Sequence, residues 1–270
     1  RRVLFRSRTD TSSCDYLLLR AKLQREWNKN NSLASETIAK ALALYPTDSE
    51  ILLTAAKISS DSGALIGGKA ALELLQTLLE SDKDNKEALS LCIIELAKEG
   101  SFEEAYKIST DLVKKEGNKK EDLLSHIDIC ISMNYMKEAW ELTSALYKES
   151  PDDLDILQQY IKVLVASGRR EEALKLIASL QGTSDGKLRS FLYYQKSLLD
   201  TSEDDILADL RTSLTSNPRN KDSLYRLYRI YYNKKDYRRA RYYLKQVVAL
   251  NPRDTGVLAK NAELDALLKQ

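Results

Sequence analysis

The stretch at residues 222–251, DSLYRLYRIYYNKKDYRRARYYLKQVVALN, followed by Pro252, decides the fold. Leu224, Leu227, Tyr228 and Tyr231 recur at helical spacing. After a turn at residues 233–236, Ala240, Tyr243, Leu244, Val247 and Val248 do so again. The stretch is therefore an amphipathic helix pair closed by a proline. Each apolar stripe must be buried, and one pair alone cannot bury both sides.

Working back from this pair, the rest of the chain falls into copies of it. The breaker slot of Pro252 is filled earlier by Pro218, Asp185, Pro151, Gly117, Asp82 and Pro46, at successive spacings of 36, 35, 34, 34, 33 and 34 from Pro46. The small residue opening each second helix recurs in step as Ala34, Ala70, Ala105, Ala139, Ala173, Ile206 and Ala240. Leu18, Leu52, Leu89, Leu123, Leu157 and Leu224 open first helices, with Ser190 in the sixth copy. These three slots, and the motifs GSFEEAYKI, GRREEALKLI and KDYRRARYYL, resemble the tetratricopeptide repeat. The expected fold is all-α: a right-handed superhelical solenoid of antiparallel helix pairs with a C-terminal capping helix. Its repeats are expected at 15–48, 49–85, 86–119, 120–153, 154–186, 187–220 and 221–254, with the cap at 255–270. The sixth copy departs most from the pattern and is expected to be the loosest.

Composition agrees with this class. The chain is 43% hydrophobic and 30% charged, with only 9 Gly and 4 Pro in 270 residues, so few turns interrupt the helices. No apolar run approaches the roughly 20 residues that cross a bilayer. Residues 1–7 (RRVLFRS) read letter for letter as a translated sequencing-library adapter and are set aside as an artefact. Residues 8–14 are then a truncated N-terminal remnant, and the compartment stays open between cytoplasm and a bacterial periplasm. Cys14, after Thr-Ser-Ser, is weighed as a lipoprotein site and disfavoured for want of an aliphatic residue three positions earlier.

Chemistry-bearing motifs are sparse. Cys14, Cys92 and Cys130 form no metal or disulfide pattern, and the single histidine, His126, falls in a core slot. The segment GALIGGK at residues 63–69 approximates a phosphate loop but lacks the Ser/Thr after the lysine and a preceding strand. It is read as a lengthened inter-helix turn. Glu103–Glu104 and Glu171–Glu172 lie on solvated faces, where no burial tunes a carboxylate for acid–base work. No catalytic residue, metal ligand or cofactor is assigned, and the chain is read as not an enzyme.

Charge is uneven. Residues 219–254 carry eleven basic and three acidic side chains, so this segment is +8 within a chain of formal charge +2. A basic patch is expected at Arg226, Arg229, Arg238, Arg239 and Arg241, interleaved with tyrosines. The resemblance implies that first helices line a concave groove. On helical phase its lining would include Tyr16, Leu19, Leu23, Lys57, Ile94, Asp128, Gln158, Lys162, Phe191, Gln195, Tyr225, Arg229 and Tyr232. These do not reproduce the Lys/Asn/Arg set with which family members clamp a chaperone's C-terminal carboxylate. The expected function is a protein–protein interaction scaffold of bacterial type, holding a peptide or partner protein in that groove. The alternative is an anion-binding module whose basic, Tyr-rich last repeat contacts an acidic partner or nucleic acid; nucleic acid fits less well, because the rest of the chain is negative.

Overall fold

The computed structural model describes residues 11–116, 119–250, 252 and 254–268; the segment 1–7 and the start of the remnant at 8–14 lie outside them. Among the described residues there are fifteen α-helices and no strand, only an isolated bridge between Ile66 and Lys69. They are α1 (Cys14–Glu26), α2 (Asn31–Leu44), α3 (Ser49–Ser62), α4 (Ala71–Ser81), α5 (Lys86–Glu99), α6 (Phe102–Glu116), α7 (Lys120–Ser132) and α8 (Met136–Glu149). The remainder are α9 (Leu154–Ala166), α10 (Arg170–Leu180), α11 (Gly186–Leu199), α12 (Glu203–Ser216), α13 (Lys221–Asn233), α14 (Tyr237–Leu250) and α15 (Thr255–Leu267).

Local chemistry explains where these helices start and stop. Ser13, Asp48, Asn85, Asp153, Asp185, Asn220 and Asp254 each accept a first-turn backbone N–H at the head of an odd-numbered helix. These caps satisfy donors that a helix cannot satisfy itself. The turns inside pairs use left-handed residues, among them Gly63, Gly100, Asn134, Gly168 and Lys235, with φ between 58° and 82°. A single left-handed residue reverses the chain cheaply where it is glycine or asparagine.

The chain divides into two compact units, Arg1–Ile129 and Cys130–Gln270, with the division inside α7. In the first unit α1 packs on α2, α3 on α4 and α5 on α6, and the odd helices touch along a layer, α1 on α3 and α3 on α5. In the second unit α9 packs on α10, α11 on α12 and α13 on α14, and α9 again touches α11. One apolar core of this unit gathers Leu157, Ile161, Leu164, Ala173, Ile177 and Leu192. Another gathers Leu210, Leu224, Leu227, Tyr231, Ala240, Leu244 and, from α15, Val257 and Leu264.

The insertion at residues 63–69 is a built plug. Gly63 ends α3 in the left-handed region, and Ile66 is 1% exposed. Gly67 and Gly68, at φ 58° and 80°, form a two-residue reversal in which Ile66 and Lys69 exchange both backbone hydrogen bonds, 2.9 and 3.1 Å. Lys69 Nζ donates to the Thr77 hydroxyl at 3.2 Å. The extra residues delay α4, and this corrects one slot of the repeat. Ala70 is the N-cap of α4, its N–H held by Glu73 at 2.7 Å. The fully buried residue three places into the helix is Leu74, where the other second helices in register carry Ala34, Ala105, Ala139, Ala173 and Ala240.

The sixth pair is packed and hydrogen-bonded at the slot where its pattern departs. Ser190, in the leucine slot, is completely buried and its Oγ lies 2.9 Å from Ser213 Oγ. Asn220 Nδ2 donates to Ser190 Oγ at 2.8 Å, and Ser213 Oγ also meets Ser223 Oγ at 2.8 Å. A satisfied polar network thus replaces the missing apolar contact. Gly186 lets α11 approach α12: a Cβ there would lie 2.8 Å from the Ser216 carbonyl oxygen. Gly186→Ala is expected to destabilise the fold by about 1–3 kcal/mol through this overlap, while Gly182→Ala, which meets nothing, stays near neutral. Thermal unfolding of the two variants checks the difference.

Candidate functional site

In the second unit, α11, α13 and α15 enclose a cavity of about 660 Å³. α11 supplies Tyr194 and Leu198; α13 supplies Lys221, Asp222, Tyr225, Arg226, Arg229, Ile230 and Asn233; the start of α15 supplies Asp254, Gly256, Val257 and Lys260. The phase of α13 explains the arrangement. Its apolar stripe, Leu224, Leu227, Tyr228 and Tyr231, is buried in the core, so Tyr225, Arg226 and Arg229 turn to the open side.

The cavity is cationic with a partly neutralised rim. Lys221 lies 3.6 Å from Asp254. Arg226 is half-buried, and its guanidinium donates to the Ser197 carbonyl at 3.1 Å. Burial pulls the Arg226 pKa below its usual value, with Arg229 contributing in the same direction and Tyr194 and Asp200 opposing. Arg229 is exposed, and among the described residues it makes no hydrogen bond or ion pair. Lys260 Nζ stands 5.8 Å from the Tyr225 ring centroid. Burial also raises the Tyr194 phenol, Asp222 adding to it and both arginines opposing.

The expected basic patch is divided by these contacts. Arg226 and Arg229 line the cavity, and Arg238 is exposed elsewhere on α14. Arg239 pairs with Asp236 at 3.5 Å and lies 5.4 Å from the Tyr231 ring. Arg241 forms an ion pair with Asp265 of α15. Most of the tyrosines are packed on the core; Tyr242 is the exposed one.

The groove residues taken from helical phase fare unevenly. Tyr225 and Arg229 come together in the cavity, and Tyr232, on the same helix, donates its hydroxyl to Glu263 at 2.6 Å. That hydrogen bond pushes the Tyr232 phenol up to about 12. Gln195 corrects the expectation: it is 5% exposed and belongs to the packed side of α11. Phe191 is half-buried against the core, Gln158 is half-buried, and half-buried Lys162 donates to Gln159 at 3.2 Å. In the first unit, Leu23 and Ile94 are exposed, Lys57 is paired with Glu87 and Asp128 is exposed. Leu19 and Leu23 of α1 and Trp27, just beyond its end, are exposed apolar side chains. Lys260, Tyr194 and Leu198 were not among the expected residues. Carrying the groove phase one repeat further, onto the capping helix, gives Ala259 and Glu263; Lys260 stands in register with Arg226 instead.

Several titratable groups outside the cavity lining are buried. His126 is buried, with Nδ1 2.8 Å from the Ser109 hydroxyl and its ring stacked on Tyr106. Burial raises the Cys92 thiol to about 11 and the Cys130 thiol to about 12, so both stay protonated near neutral pH. Lys196 Nζ lies 2.7 Å from Asp209 Oδ2. Burial pushes the Asp209 carboxyl up to about 6, with Lys196 opposing and Asp200 adding to the rise. A raised folded-state pKa means that the folded protein holds the proton more tightly. This contribution is fully present below the unfolded value of about 4 and is lost as pH rises through about 6. Acidification from pH 8 to 5 is therefore expected to stabilise the parent relative to Asp209→Asn, and unfolding midpoints across that range measure it.

No protein-family model matches the chain, and no curated protein is similar to it in sequence. Solved structures are similar to it in fold. A tetratricopeptide repeat protein from Parabacteroides merdae superposes with a TM-score of 0.68 at 14% identity, covering 93% of this chain and 98% of its own. Yeast Tom70 gives 0.53 at 15% identity, with 95% of this chain matched to 54% of Tom70. A chain of the APC/C hetero-tetramer Cut9–Hcn1 gives 0.54 at 18% identity, with 96% matched to 51%. The chain thus spans about half the length of the latter two. With paired helices, layered odd-numbered helices and buried alanines at the close crossings, the chain has the fold of the tetratricopeptide-repeat proteins.

Proposed function

We propose that this chain is a non-enzymatic protein–protein interaction scaffold, and that it holds a peptide or partner segment against its first-helix layer. The observation that carries this reading is the cavity between α11, α13 and α15, where Tyr225, Arg229 and Lys260 converge on apolar walls from Leu198, Ile230 and Val257. Tyrosine and arginine beside apolar surface are the residue types that most often anchor a partner. Rigid helices hold them, so little ordering opposes binding. The fold fits this role: one of its structural neighbours, Cut9, stands in a hetero-tetramer with Hcn1.

The non-enzymatic part of the reading rests on the chemistry at hand. The single histidine is sequestered by Ser109 and Tyr106, and the two buried thiols are held protonated. Asp209, whose carboxyl is pushed up to about 6, is buried against Lys196 and away from the cavity lining.

Selection from a random dodecapeptide library displayed on phage tests the scaffold reading. Selected peptides are expected to shift backbone amide resonances of α11 and α13. Tyr225→Ala is expected to weaken them about tenfold, roughly 1.4 kcal/mol. Peptides that perturb only even-numbered helices, or no selection above background, would count against this reading.

A further inference from the structure

We propose that the α11–α13–α15 cavity recognises an acidic peptide, seating a Glu or Asp side chain on Arg226, Arg229 and Lys260 and its apolar neighbour against Leu198 and Val257. This rests on the scaffold reading and adds the chemistry of the partner.

Three observations carry it. First, the cavity's cations outnumber its anions: Lys221, Arg226, Arg229 and Lys260 face Asp222 and Asp254, and Lys221 is the one within ion-pair reach of Asp254. Second, Arg226 is half-buried with a neutral carbonyl as its hydrogen-bond acceptor. A guanidinium withdrawn from water without a bonded carboxylate is in its costly state, and an incoming carboxylate relieves it through charge-assisted, bidentate bonds. Third, Arg239 and Arg241 are held by Asp236 and Asp265, whereas Arg229, closer to the cavity, has no such partner among the described residues. Two arginines without an ion-pair partner among the described residues, Arg226 and Arg229, thus line a cavity with room for a ligand.

The same residues favour a peptide over nucleic acid. Asp222 and Asp254 on the rim repel a continuous line of phosphates but tolerate one carboxylate seated between the cations. Leu198, Ile230 and Val257 offer apolar wall that a phosphodiester backbone does not use. An acidic residue beside a bulky apolar one meets both requirements.

The test uses two fluorescein-labelled hexapeptide pools. One has Glu fixed at positions two and five, with Leu, Ile, Phe or Tyr elsewhere; the other has Gln at the fixed positions. Fluorescence polarisation at low salt is expected to show the Glu pool binding at least about tenfold tighter than the Gln pool, with the difference shrinking as salt rises. Arg229→Gln and Lys260→Gln, both at accessible positions, are expected to remove most of that difference while leaving the helical circular dichroism and melting curve unchanged. The Nε–Hε resonances of Arg226 and Arg229 should shift with the Glu pool. Equal binding of the two pools overturns the acidic assignment and leaves the scaffold reading standing. Binding of neither pool overturns the assignment as well, and the phage selection then decides the scaffold reading separately. A uridine dodecamer that displaces the Glu pool and is itself lost in Arg229→Gln would reassign the cavity to nucleic acid.

Discussion

Everything in this protein depends on the close crossing of two helices at a side chain with no room to spare. Ala34, Ala105, Ala139, Ala173 and Ala240 are all completely buried. Each stands three residues into its helix, where the second helix of a pair meets the first. A methyl group there allows the backbones to approach, so that leucines and isoleucines on both sides interdigitate. A helix pair cannot close its own apolar face, so each pair also needs the next. Within each unit odd helices consequently lie side by side, α1 on α3 and α3 on α5 in the first, α9 on α11 in the second.

That dependence made the fold legible in the sequence. A repeated packing slot leaves a repeated residue, and the polar caps of odd helices leave Asp or Asn two residues after Pro46, Pro151, Pro218 and Pro252. Legibility failed where a residue kept its phase but lost its place. Ala70 is in step with the other alanines by number, yet the plug around Ile66 delays the helix and puts Leu74 at the buried position. Counting residues cannot show this, because insertion length and helix start are independent until the turn is seen. Ser190 failed for another reason. Serine in a leucine slot reads as a weak repeat when considered alone, but its partners Ser213 and Asn220 lie 23 and 30 residues away along the chain. Hydrogen-bonded networks depend on tertiary proximity and leave no period.

The candidate site was legible only in part for the same physical reasons. Helical phase identifies the side of α13 that carries Tyr225 and Arg229, since the opposite side is visibly apolar. It does not say which arginines are already paired. Arg239 has Asp236 three residues before it, a contact readable from helix spacing. Arg241 instead meets Asp265, a partner in another helix. Gln195 occupies a groove phase on α11 but is covered by its neighbours. A phase assigns a direction from the helix axis, whereas burial depends on what stands in that direction.

The terminal helix shows how capping and recognition are joined. Val257 and Leu264 of α15 complete the core that α13 and α14 leave open. α15 packs on α14 and reaches α13 through Glu263, which accepts from the Tyr232 hydroxyl, and Lys260, beside the Tyr225 ring. Its first turn then borders the cavity with Asp254, Gly256 and Lys260. Asp254 caps the helix by accepting from the Val257 N–H at 3.0 Å and also stands 3.6 Å from Lys221. One carboxylate therefore starts the capping helix and neutralises one wall of the cavity. Arg226 and Arg229 also line the cavity. Asp222, Arg226 and Arg229 of α13 and Asp254 and Lys260 of α15 therefore charge the cavity from the helices that also build this core.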